Sequence, residues 1–175
     1  MTLPKYTHKA TVSSRGAASS YLSQPGDAVI VDRQGPRWLI LACPCGCGAE
    51  IPINVDARAG KAWRLFKHKD GALTVYPSVW RDTDCKSHFI IWRDKILLIG
   101  PVDDDWRSPQ PEVELTALAD EVMKRMPQTG FISYLQVADS MGEDPWDVLD
   151  ACRALVRLRR LKESGGSVRD LFART

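Results

Sequence analysis

The residues of this chain best suited to chemistry are its cysteines, and four of the five stand in two clusters. Cys43, Cys45 and Cys47 alternate with one proline and one glycine in CPCGCG, and Cys85 opens CKSHF, where His88 follows at C-x-x-H spacing. Thiols this close serve as disulfides, redox groups or metal ligands. The opening stretch, MTLPKYTHKATVSSRGAASS, lacks the continuous apolar segment of a secretory signal. No apolar run reaches the roughly 18 to 20 residues that span a bilayer. The expected location is therefore the cytoplasm, where stable disulfides are rare and clustered cysteines serve as metal ligands or redox groups.

Zinc is the metal that such thiolates favour, and Zn²⁺ is the expected cofactor. It takes four tetrahedral ligands, so of Cys43, Cys45, Cys47, Cys85 and His88 at least one is spare. A four-thiolate site has no open position and acts as a staple for a small domain. If only three protein atoms bind, a water takes the fourth place and Glu50 is the nearby carboxylate that could act as its base. The fifth cysteine, Cys152, lies in a helical apolar stripe and reads as a small buried hydrophobe.

These clusters must be carried by a framework. From Gly26 onward, DAVIVDR and RWLILA flank a Gly-Pro turn, and EIPINV, WRLFKH, ALTVYPSV, SHFIIW and KILLIG continue the pattern of short β-branched and aromatic runs. The reading is six or seven strands in an antiparallel β-domain over residues 25–102. Residues 1–24 show no apolar periodicity and read as a flexible tail. Three aspartates and three prolines in PVDDDWRSPQPE mark a linker at 103–111. Beyond it the period becomes helical. Leu115, Leu118, Ala119, Val122 and Met126 form one stripe, SYLQVADSMG fits a second helix, and the third opens with Asp144 as N-cap and Pro145 at the first helical position. Val148, Leu149, Cys152, Leu155, Val156 and Leu158 give its expected buried side. The expected class is α+β: a small zinc-stapled antiparallel β-domain, then a winged-helix-like three-helix domain over 112–175.

CPCGCG, WRLFKHKDG, YPSVW and CKSHFIIW occur in this order, and residues 43–99 thereby resemble a bacterial family of formerly unknown function. That family is marked by CPCGCG, a Trp-rich strand, Pro-Ser and C-x-S-H-F. Its members are encoded in ubiquitin-like conjugation operons, where they look like the peptidase component. The place directly before the first cysteine, often His in the family, is Ala42 here. The matching positions are Cys43, Cys45, Cys47, Glu50, His68, Asp70, Ser78, Cys85, Ser87 and His88. The resemblance implies a hydrolase that releases a ubiquitin-like protein from its precursor or conjugates, with that protein and the activating and conjugating enzymes of the operon as partners. If the four thiolates hold the zinc, His88 is available to a serine, and Ser78 suits better than Ser87, whose side chain should point to the opposite face of the strand from His88. His68 and Asp70, beside KDG, also read simply as residues of a hairpin turn.

The net charge is only +2, with 15 basic against 12 acidic residues in 1–112 and 9 against 10 in 113–175. DNA binding by the helical module, through Arg153, Arg157, Arg159, Arg160 and Lys162, is expected to be weak, since little counterion release is available. The rival to the hydrolase is thus a non-enzymatic zinc-stabilised adaptor whose helical module binds protein or DNA. No membrane partner is expected.

Overall fold

In a computed structural model, the structure describes residues 4–99, 115–165 and 170–175. The chain divides into two compact units, Met1–Pro111 and Glu112–Thr175. No helix among the described residues is long and apolar enough to cross a membrane.

The first unit is built from two four-stranded sheets. One contains β1 (Thr7–Val12), β2 (Asp27–Asp32), β3 (Pro36–Ala42) and β4 (Glu50–Asn54), adjacent in that order; the other contains β5 (Arg64–Lys67), β6 (Leu73–Trp80), β7 (His88–Trp92) and β8 (Lys95–Leu98), likewise in order. Short turns join most neighbours, so the pairs are antiparallel, with one exception: β1 runs parallel to β2. Leu39, Leu41, Ile51 and Ile53 share a core with Val75, Val79, Phe89 and Ile91, which joins the two sheets.

The consecutive apolar residues of β2 have a physical reason in this arrangement. Ala28 turns into that main core, while Val29 and Val31 join Ile40 and Ala18 in a smaller cluster. A strand buried on both faces reads as a continuous apolar run. The second cluster corrects the expectation of a flexible tail at 1–24: Ala18 is fully buried, Arg15–Ala17 and Ser19–Tyr21 form short 3-10 turns, and β1 pairs with β2. The segment has few apolar residues and so no readable period; a sheet partner supplies its order. It also reaches the second sheet, because Tyr6 N–H donates to the Asp94 carbonyl at 2.8 Å. Gly26 makes the approach possible. Its φ is +89°, and a Cβ there would lie 2.3 Å from the Lys5 carbonyl oxygen.

The second unit follows the order α1 (Leu115–Arg125), β9 (Ile132–Ser133), α2 (Tyr134–Met141), α3 (Pro145–Arg157), β10 (Leu161–Glu163) and β11 (Leu171–Arg174). Its three strands form an antiparallel sheet in the order β10, β11, β9. Ser133 caps α2 by accepting from Leu135 N–H while Gln136 reaches back to Ser133 N–H, a reciprocal capping box. Asp144 caps α3 by accepting from Trp146 N–H at 2.9 Å. Val122, Met126, Val137, Val148, Cys152, Leu155 and Phe172 form the core, so Cys152 is the buried hydrophobe expected of it.

Two expectations need correction here. Leu158 is 67% exposed instead of buried, because α3 ends at Arg157 and the residue after a helix no longer follows its stripe. The described residues of the unit also carry three short strands beside the three expected helices; strands of two to four residues carry too little alternation to read. The linker expectation at 103–111 lies outside the described residues.

Candidate metal centre and hydrolytic face

The first cysteine cluster lies at the end of β3 and in the loop that returns to β4. Cys43 N–H donates to the Ala49 carbonyl at 2.8 Å and Gly46 N–H to the Cys43 carbonyl at 3.0 Å, so the loop folds back on its first cysteine. Gly46, with φ +82°, takes the left-handed conformation that this turn requires. The second cluster is the loop between β6 and β7, where Lys86 N–H donates to the Thr83 carbonyl at 3.2 Å and turns Cys85 toward the first.

The sandwich therefore brings together residues 42 positions apart. The sulfurs of Cys43, Cys45, Cys47 and Cys85 all lie within 4.8 Å of one another, with Cys43 Sγ 3.2 Å from Cys45 Sγ and 3.7 Å from Cys85 Sγ. Four thiolates about 2.3 Å from one ion stand about 3.8 Å apart, so the separations fit a single tetrahedral ion. The four cysteines could hold a metal ion, and His88 is not a member of the group.

The environment of the four thiols is uneven. Cys43 is buried, Cys85 half-buried, and Cys45 and Cys47 exposed. Burial pushes the Cys43 thiol up to about 12. For Cys45, burial acts in the same direction, but hydrogen bonds from Ser87, Cys43 and Cys47 outweigh it and lower its pKa. The Ser87 hydroxyl is the main cause that brings Cys85 down to about 6. Ser87 is itself buried, 3.4 Å from Cys43 Sγ and 3.3 Å from Cys85 Sγ. It thus lies against the sulfurs. Arg81 was not singled out by sequence, since an Arg in a loop carries no signal by itself. Burial opposes its charge, yet Asp84, Cys85 and Cys47 around it raise its pKa. It thus places a cation beside the thiols.

Ser78 and His88 occupy the other side of the β6–β7 pair. Val79 is opposite Phe89, both buried in the core, and Trp80 is opposite His88. Side chains alternate between the faces of a strand, so Ser78, Trp80 and His88 share the outward face. The rings of Trp80 and His88 are 6.2 Å apart, and Trp80 is 71% exposed. Ser78 and His88 are half-buried. Diagonal neighbours on one face of an antiparallel pair stand within reach of long side chains. The register between Val75 and Val79 is irregular, the Tyr76–Pro77 peptide bond is cis, and the Ser78 carbonyl accepts from Trp63 Nε1–H at 3.1 Å.

Glu50, the third expected catalytic residue, is exposed at the start of β4 opposite Ala42. Among the described residues, no hydrogen bond joins any two of Ser78, His88 and Glu50. His68 and Asp70 do serve the β5–β6 turn. His68 Nε2 is 2.9 Å from Thr74 Oγ1, Asp70 accepts from Ala72 N–H at 3.0 Å, and Arg93 lies 3.6 Å from the Asp70 carboxylate.

Residues 15–99 match the family model described as bacterial ubiquitination-like system serine protease (BubE). The resemblance read from the cysteine and Pro-Ser motifs is thereby borne out, and the match extends upstream to include the buried Ala18. The thiol centre and the Ser78–His88 face both lie inside the matched region. The second unit lies outside it. No curated protein and no solved structure matches the chain.

Proposed function

We propose that the first unit is a serine hydrolase that releases a ubiquitin-like protein from its precursor or conjugates, with Ser78 as nucleophile and His88 as general base. The observation that carries this reading is the convergence of four sulfurs without His88. Four thiolates complete a zinc ion's tetrahedron, so the centre is structural and offers no open position for water. His88 is then left half-exposed on the face that bears Ser78. The family match names serine protease chemistry independently.

The chemistry follows the ordinary serine cycle. The Ser78 hydroxyl attacks the scissile carbonyl as His88 takes its proton; His88 returns that proton to the departing amine, leaving an acyl-serine. A water molecule, deprotonated by the same imidazole, then releases the carboxylate and restores the hydroxyl. Ser78 and His88 share a face without a hydrogen bond between them, and catalytic hydrogen bonds often tighten only when substrate is bound. Glu50 has no step here. Zinc, when bound, supplies cross-linking of the β3–β4 and β6–β7 loops, and Arg81 offsets the negative charge of its thiolates. The test is covalent labelling: a fluorophosphonate should modify Ser78 of the intact chain, and cleavage of a ubiquitin-like precursor from the same operon should cease with it. Unlabelled Ser78 in a chain that still cleaves overturns the assignment.

The second unit supports an additional, non-catalytic role. Its order α-β-α-α-β-β among the described residues, with β11 between β10 and β9, supports reading it as a winged-helix-like module. We infer that it docks protein in preference to DNA. Arg153 is near Glu163 and Asp170, at 3.9 and 3.2 Å, and Arg160 is 3.6 Å from Asp120, so cations that phosphates would need already have carboxylate partners.

A further inference from the structure

A cleft of about 420 Å³ lies beside β5, lined by Pro36, Val55, Ala62, Trp63, Leu65 and Phe66 among others. Three features of it bear on function. First, β5 is the outermost strand of its sheet, paired through β6 alone, and such an edge is a template for an added strand. Second, the segment that carries β5 is rich in exposed cations. Lys61, Arg64, Lys67 and Lys69 are exposed, while the acids nearby are engaged, Asp56 by Arg58 and Arg37 and Asp70 by Arg93. Third, the cleft connects to the hydrolytic face, because the Trp63 indole that lines it also donates to the Ser78 carbonyl.

We propose that this cleft binds an extended peptide with apolar side chains at alternate positions and acidic side chains between them. An added strand presents alternate residues to opposite sides. One set enters the apolar cleft; the other meets the basic rim. Trp63 couples occupancy to Ser78, so the peptide is the segment that leads to the scissile bond. That last identification rests on the hydrolase reading; the binding itself does not.

The experiment uses the full chain carrying Ser78→Ala, which prevents turnover, and two fluorescein-labelled decapeptides, one alternating Leu with Glu and one alternating Leu with Lys. Fluorescence anisotropy should show the Glu peptide binding at least about tenfold more tightly, with the preference falling as salt rises. Ala62→Trp, which fills the cleft, should weaken the Glu peptide by about tenfold or more. Lys67→Glu, a surface change that does not depend on repacking, should narrow the difference between the two peptides. Failure of the Glu peptide to bind, equal binding of both peptides, or unchanged affinities in both variants overturns the proposal. Fluorophosphonate labelling of the chain with Ser78 intact is read separately: an unlabelled serine with selective peptide binding removes the hydrolase and leaves the cleft.

Discussion

Ser87 and His88 are consecutive, yet they face two different surroundings. Ser87 points inward, is buried, and sets the acidity of Cys85, whereas His88 points outward beside exposed Trp80. A strand reverses the direction of its side chains at every residue, so a single step divides the metal centre from the hydrolytic face. The comparison teaches how one strand pair can turn a cluster of thiols to one side and the candidate Ser78–His88 face to the other. On the proposed function, the thiols take what a metal needs and the imidazole is left for Ser78.

The sharpest test of that division is to remove the outward residues. Ser78→Ala and His88→Ala should each slow cleavage of a ubiquitin-like precursor by about a thousandfold or more. Both should retain the metal of the wild type, as elemental analysis would show. Release of metal by His88→Ala would place the imidazole on the inner side and break the comparison.

The complementary change removes a sulfur. Cys43→Ser should lose the metal and lower the melting temperature of the first unit by about 10 °C or more, since a structural zinc contributes folding free energy directly. The second unit has its own core and should melt as before. Calorimetry can follow the two transitions. A metal-free variant with an unchanged first transition would deny the centre its role as a staple.

Within the centre, the thiols themselves can be ranked. After chelation at pH 7, iodoacetamide should alkylate Cys85 early and Cys43 last, because their pKa values lie at about 6 and about 12. The group that is lowered loses reactivity as pH falls through 6, when its thiol regains the proton. Ser87→Ala should move the Cys85 profile to higher pH, and mass spectrometry of the labelled peptides reads both effects. An unchanged Cys85 profile in Ser87→Ala would mean that Ser87 does not act on sulfur.

The smallest expected effect is at Glu50. Exposed at the start of β4 and with no place in a four-thiolate centre, it should tolerate Glu50→Gln with cleavage rates within about twofold of wild type. Loss of cleavage with metal retained would instead establish a metal-bound water as the nucleophile and Glu50 as its base.

Much of this arrangement is local information. The hairpin of β2 and β3 follows from two apolar runs around a turn, the start of α3 from Asp144 and Pro145, and the metal-ligand character of the cysteines from CPCGCG and CKSHF. Each depends on residues close in sequence, where turn chemistry, capping and ligand spacing act. The order of residues 4–24 was not legible, because Tyr6 and Ala18 gain their burial from distant parts of the first unit. Nor could spacing decide which of five candidate ligands is spare. Only the pairing of β3 with β4 and of β6 with β7 brings Cys85 to the first cluster while turning His88 away. The sequence by itself determined which atoms were available to a metal or a reaction; the tertiary structure decided which of them meet, because long-range strand register sets both the distance between two loops and the face on which each side chain emerges.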